Sequence, residues 1–369
     1  MKKDKLITIV MFFLVFSAVY SPIIKSNAYV SLFLVFLLPL ITFKLNLKNM
    51  SFIFFVIPSF VYCFLVASFS IYISVFNFLM LAIVFLSLGE RHLILCIWLS
   101  LYFSASFLVL AICSFIFDGN VGVFLTVGRI LIWDVLGVGV NANIIGLYSA
   151  VTIMLCLVLY NLFARGWGVN FTFISFITIS IACLVLSGSR SAALFLFSFL
   201  LLCSIKSFKL IITLLVIVFF SSFIFDDAVY SLRIIDFSVG DSGRFEYYKD
   251  AYSLWRENGY LPLDDLVFIE KQIILDNLFL GAIIRYGPIF FVGLICFCVF
   301  LFYRLVSHKN NSLIFCNSLA FSSVILGFIE SSFIGSIFLL LIVLICSKLS
   351  DGDRYEDGFY YYRPRNGRC

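Results

Sequence analysis

From Leu6 to Ile24, from Ser26 to Phe43, from Asn49 to Gly89 and from Leu93 to Phe117 the chain carries no charged residue. A helical run of about 20 apolar residues spans the hydrocarbon core of a bilayer. Within lipid every backbone N–H and C=O needs a partner inside the protein, and a helix supplies one for each along its own length. Such runs recur almost to the C-terminus, so the chain cannot be an ordinary soluble domain. Charged residues make up 12% of it, against about 25% in soluble proteins, and its mean hydropathy is +1.15. The expected fold class is all-α, a polytopic transmembrane helical bundle.

About twelve spans are predicted: 6–22, 28–43, 50–67, 69–88, 93–117, 144–163, 170–187, 191–205, 209–225, 278–303, 312–329 and 331–347. With Met1 on the cytoplasmic side, 16 of the 25 basic residues fall on the inner side, against 6 of the 20 acids. The inner set includes Lys2, Lys3, Lys5, Lys44, Lys48, Arg91, Arg165, Lys206, Lys209, Arg304, Lys309 and Lys348. Basic residues concentrate in short inner loops of membrane proteins, so both termini are expected in the cytoplasm. The organisation that follows is a bundle of nine spans over 1–225 and a long outer loop over 226–277. Three more spans follow over 278–347, then a cytoplasmic tail over 348–369. Ser26 and Ala28 are spaced like a signal cleavage site, but they lie well beyond a long apolar stretch, and an uncleaved first span is expected.

Several chemistries are disfavoured. The net charge of +5 is distributed among loops, so no nucleic-acid partner is expected. The eleven cysteines sit in spans, at their edges or at the last residue, with no CxxC or His/Cys spacing suited to zinc. Both histidines, His92 and His308, fall at inner loops. The first outer loop, "SPIIKSNA", has no acid, so neither a metal nor any other cofactor is expected.

The run "CLVLSGSRSAALFLF" is interrupted by a single cation, Arg190, at a tight outer turn. One account is a snorkelling or capping arginine at a span end. Another is an anion clamp, because Gly188 permits a tight turn and the next helix begins there, directing its dipole and the guanidinium at one place.

The outer loop is far longer than a simple connection needs. Within it "DSGRFEYYKDAYSLWRENG" predicts a helix over 243–258, with Asp241 and Ser242 as start signals and Asn258-Gly259 as a stop. Phe245, Tyr248, Tyr252 and Trp255 share one face at helical spacing. They predict an amphipathic helix lying on the membrane or packed over the bundle. The face also suits sugar rings, although ordinary packing produces the same stripe. Arg244 stands in the first turn, where a cation opposes the macrodipole unless an anion is near. The loop closes with "QIILDNLFLGAIIRYGPIFF". There Asp276 is either a helix cap or a chemical group, and Arg285 lies about two turns into a span. An arginine at that depth either marks a kink with Gly287-Pro288 or faces a cavity or a partner charge.

Taken together, "VNANIIGLYSA" entering a span, "LSGSRSAA" at an outer turn, "SGRFEYY…W" in the long loop and "DNLFLGAIIRYG" at its exit resemble the O-antigen polymerase and O-antigen ligase superfamily. The resemblance covers about Asn141 to Pro288. It implies an enzyme of the bacterial inner membrane whose outer-loop arginines bind the diphosphate of undecaprenyl-diphosphate-linked glycan. Arg190 and Arg244 match those arginines and carry catalytic and binding roles by that correspondence. Arg285, Asn277 and Asn143 fall among the substrate-binding positions. Asp276-Asn277 stands where ligases typically carry histidine-asparagine, and no outer histidine exists, which favours a polymerase.

The expectation is therefore a metal-independent glycosyltransferase that polymerises undecaprenyl-diphosphate-linked repeat units. Its arginines stabilise the leaving diphosphate, and Asp276 is the first candidate for general base. The resemblance adds a chain-length regulator and a flippase as protein partners. The rival classes are a lipid-linked glycan transporter, which would favour repeated halves that are not seen here, and a ligase that moves glycan to lipid A core.

Overall fold

The computed structural model describes residues 2–24, 28–40, 76–77, 80–81, 83–85, 87–117, 132–163, 167–204, 244–263, 267, 271, 278–307, 314–327 and 337–349. The expected spans 50–67 and 209–225, most of the loop 226–277 with Asp276 and Asn277, and the tail beyond Leu349 lie outside these residues.

Helix α1 (Lys2–Val19) ends earlier than expected. Tyr20 bends the chain into a single turn, Ser21–Ile24, because Pro22 has no N–H with which to continue the α1 ladder. Helices α2 (Ala28–Leu37) and α3 (Glu90–Phe117) follow. The chain next makes an antiparallel hairpin, β1 (Ile132–Val135) with β2 (Val138–Asn141). The hairpin is a small addition to the expected all-α architecture, since helices account for most described residues. Leu136 (φ 55°) and Gly137 (φ 79°) both take positive φ at the two-residue turn, the backbone that matches the twist of a tight hairpin. The Gly137 N–H donates to Asp134 Oδ1 at 2.7 Å. Trp133, Val135 and Val140 are buried, and the Trp133 ring lies 5.8 Å from that of Phe115 at the end of α3.

Helices α4 (Ala142–Phe163), α5 (Trp167–Ser187) and α6 (Arg190–Ser204) form a consecutive up-down series. Helix α7 (Arg244–Glu257) lies within one residue of its expected ends at each side. The span expected over 278–303 is broken into α8 (Leu278–Tyr286) and α9 (Pro288–Ser307). Gly287, at φ 87°, separates them, and Pro288 occupies the first position of α9, where its missing N–H costs nothing. Helices α10 (Ile314–Gly327) and α11 (Ile337–Leu349) complete the described bundle.

Among the described residues three helical stretches are long and apolar enough to cross a membrane: Glu90–Phe117, Ala142–Leu162 and Asn170–Ser187. The shorter apolar helices pack with them around one continuous core. Lipid tails are as apolar as the helix surfaces, so association relies on close packing and interhelical polar links. Thr152 of α4 donates to Ser104 of α3 at 2.9 Å. Many buried serines satisfy themselves on the preceding turn, as Ser149 does on the Ile145 carbonyl at 2.8 Å.

Ring contacts fix the directions of the helices. Phe199, in the last third of α6, meets Phe315 at the start of α10, and Phe302 of α9 meets Phe321. Helices α6 and α9 are therefore both antiparallel to α10. Phe338 at the start of α11 lies 4.9 Å from Tyr148 near the start of α4. One end of the bundle thus gathers the starts of α4, α6, α9 and α11.

Candidate functional site

That end is held together by Tyr148. Its hydroxyl donates to the Val19 carbonyl at the end of α1 at 2.8 Å, and its ring packs on Phe107 and Phe338. Phe107 touches Tyr20, whose hydroxyl lies 2.8 Å from Ser106 Oγ. The result is a rigid aromatic floor beneath the loops.

Two sequence motifs meet on this floor. Strand β2 runs directly into α4, where Asn141 Oδ1 accepts from the Asn143 N–H at 2.8 Å, an N-cap. One turn on, Gly146 faces the α5–α6 turn so closely that a Cβ there would lie 2.5 Å from Ser189 Cβ and 2.9 Å from Ser187 Oγ. Only glycine permits this approach. The half-buried Asn143 and the turn of Arg190 therefore belong to one packed unit.

The turn itself is built for a sharp reversal. Gly188 takes φ 57° and closes α5, its N–H donating to the Val185 carbonyl at 3.1 Å. Ser189 then caps α6: its carbonyl accepts from Ala193 N–H at 3.1 Å, and its Oγ lies 3.5 Å from Ala192 N. Ser187, Ser189 and Ser191 are all buried. Arg190 is thus the first residue of α6. It is half-buried, and its Nη2 atom is excluded from solvent. A cation at a helix start opposes the macrodipole, so the fold holds a positive charge where the backbone already presents positive potential. Such a place attracts anions.

The second pair of motifs is joined separately. Helix α7 packs on α8 through Ala251, Trp255 and Ile284, with Leu263 from the following segment and Tyr247, Tyr248, Leu254, Leu280 and Ile283 around them. The Leu263 N–H donates to the Ile284 carbonyl at 3.0 Å. One face of the amphipathic helix is thus packed on α8. The shared aromatic face is split, because Trp255 is buried and Tyr252 exposed. Arg244 begins α7. Arg285, half-buried with its Nε excluded from solvent, lies two residues before the Gly287 break. Helix α8 also sends Ala282 and Tyr286 into the main core, so it bridges the loop helix and the bundle at the end that carries Arg190.

The structure therefore brings Asn143 to the Arg190 turn, and brings the helix of Arg244 onto the helix of Arg285. Asp276 and Asn277 lie outside the described residues. Sequence reasoning missed Gly146 and the hairpin. The signals were a glycine one turn into a span, a position enriched at close helix contacts, and the β-branched alternation around Leu136-Gly137. Among the described residues no group of His, Cys, Asp and Glu is arranged to hold a metal ion, and the nine described cysteines are all free. No protein-family model matches the chain, and no curated protein matches it.

Proposed function

We propose that the protein is a polymerase of undecaprenyl-diphosphate-linked oligosaccharide repeat units, working at the outer face of a bacterial inner membrane through twelve spans and a periplasmic loop. The observation that carries this reading is the Arg190 turn: a cation at the start of α6, held against α4 by the Gly146–Ser189 approach. It is a rigid, positively biased site at a helix N-terminus, on the same bundle end as Arg285.

The chemistry follows from those charges. A sugar hydroxyl of one lipid-linked unit attacks the anomeric carbon of another. The bond from that carbon to the diphosphate oxygen breaks, and undecaprenyl diphosphate departs with the electron pair. Arg190, Arg244 and Arg285 stabilise the growing negative charge by forked hydrogen bonds. Asn143 and Asn277 supply neutral hydrogen bonds to the substrate. Asp276, at the exit of the long loop, accepts the hydroxyl proton.

The test is the surface-glycan pattern of a strain in which this gene alone is deleted. Loss of a polymerase leaves one repeat unit on lipid A core, and plasmid expression restores the ladder. Loss of a ligase leaves core without any unit. Purified protein that moves lipid-linked glycan across vesicles without lengthening it would be a transporter instead.

A further inference from the structure

Helix α7, which begins with Arg244, and the turn that follows it carry a tryptophan in ring contact with two tyrosines. Trp255 is the centre. Tyr252 stands edge-on to it at 6.1 Å and Tyr260 edge-on at 4.9 Å. The indole is 8% exposed and anchored on Ala251, Leu263 and Ile284, whereas Tyr252 and Tyr260 are 48% and 47% exposed. A fixed tryptophan thus supports two tyrosines that project into solvent.

The position of Tyr260 goes beyond what ending the helix requires. The Tyr260 N–H donates to the Trp255 carbonyl at 2.9 Å and the Gly259 N–H to the Arg256 carbonyl at 3.1 Å. This pair of bonds needs one left-handed residue, and Gly259 (φ 66°) provides it. Tyr260 is itself left-handed at φ 62°, a conformation that is strained for a bulky side chain. Such strain persists where surrounding structure enforces it and clusters at ligand sites.

The surroundings select the kind of ligand. Lys249, Asp250, Ser253, Arg256, Glu257 and Asn258 are all exposed around the rings, so donors and acceptors of both signs border an aromatic surface. The Trp255 indole N–H is buried rather than turned outward, as it would be toward lipid headgroups. Sugars match such a border. The C–H face of a pyranose is apolar and slightly positive and packs on the negative face of an aromatic ring, while its hydroxyl rim takes hydrogen bonds from charged and amide groups.

We infer that Tyr252, Trp255 and Tyr260 form a carbohydrate-binding platform that holds sugar residues of a glycan chain beside the arginine-bearing end of the bundle. The platform rests on the polymerase reading only for the source of that glycan. It gives the long loop a second task besides charge: gripping the chain one or two sugars from the diphosphate.

The test uses the full chain in lipid nanodiscs. The probe is oligosaccharide of two repeat units, released by mild acid from the surface polysaccharide of the strain that carries this protein. Wild type should bind it by saturation-transfer NMR. Tyr252→Ala and Tyr260→Ala should each weaken binding at least tenfold, Tyr260→Phe should keep it, and Tyr160→Ala, an exposed ring on α4, should change nothing. Unaltered thermal unfolding of the alanine variants would separate lost stacking from lost folding. No binding by wild type, or undiminished binding by the double alanine variant, would overturn the platform. So would a spin label on Tyr252→Cys that lies below the lipid phosphates. Binding that follows this pattern in a protein that does not lengthen glycan would sink the polymerase reading and leave the platform standing.

Discussion

Gly146 and Ser189 are pressed together: a Cβ on the glycine would sit 2.5 Å from the serine Cβ. The contact joins the start of α4 to the turn that presents Arg190. A methyl group at Gly146 must displace that turn, since the opposing atoms belong to short, buried side chains with no room to swing away. Gly146→Ala should cost about 1–3 kcal/mol of stability, as overpacking does. It should also shorten glycan chains at protein levels where wild type still makes a full ladder. Thermal unfolding in detergent and the glycan ladder, measured together, check this. Full stability and full ladders would mean that the turn has slack.

The sidedness of the loop follows from the placement of basic residues. A cysteine introduced at Ser253, an exposed position of α7, should react with membrane-impermeant maleimide in intact spheroplasts. One introduced at Asn310, in the short basic loop between the tenth and eleventh expected spans, should react only after lysis. The opposite pattern would put the arginine sites in the cytoplasm, where the proposed substrate does not accumulate. Cys113 and Cys296, which are exposed to the bundle surface, should first be replaced by serine.

Charge stabilisation by arginine alone predicts indifference to divalent ions. Polymerisation in vitro should proceed at the same rate with EDTA as with magnesium or manganese, because the first expected outer loop offers no acid and guanidinium groups can neutralise a diphosphate directly. A loss of activity with EDTA that magnesium or manganese restores would assign the outer carboxylates a ligand role that this mechanism does not contain.

What the sequence disclosed and what it hid differ by the range of the forces involved. Local signals placed α7 at 243–258 against 244–257 in the structure, because its caps and aromatic spacing are all within the segment. The helices expected at 170–187 and 191–205 were legible for the same reason. By contrast, 278–303 was expected as one unbroken span, with a kink at Gly287-Pro288 as only one account of Arg285, and Gly287 breaks it. The hairpin 132–141 was hidden by its composition, since its inward residues Trp133, Val135 and Val140 are equally at home in a membrane helix. Gly146 was hidden because its significance lies in Ser187 and Ser189, at the far end of the next helix. The division of the α7 aromatics into buried Trp255 and exposed Tyr252 depended on Ile284 and Leu263, which helical periodicity within α7 cannot reveal.

Arg190 gives the sharpest prediction. It occupies the first position of α6, where its charge works against the helix macrodipole, on a turn fixed by Gly188 and the Ser189 cap. An arginine that served only to anchor a span end would be replaced by lysine at little cost, because both reach the interface with a charged head. A diphosphate clamp needs the planar fork, so Arg190→Lys should be nearly as damaging as Arg190→Ala. Losing one such contact to the departing charge should cost about 2–4 kcal/mol, roughly 10²–10³ in rate. Both variants should therefore reach the membrane in normal amounts yet yield glycan of a single repeat unit, and Arg244→Ala should do the same. Arg165→Ala, at an expected inner loop, should leave the ladder intact. Immunoblots beside the glycan gels separate lost chemistry from lost protein. Long chains from both Arg190 variants at normal expression would reduce the residue to an interfacial anchor and remove the observation on which the proposed function stands.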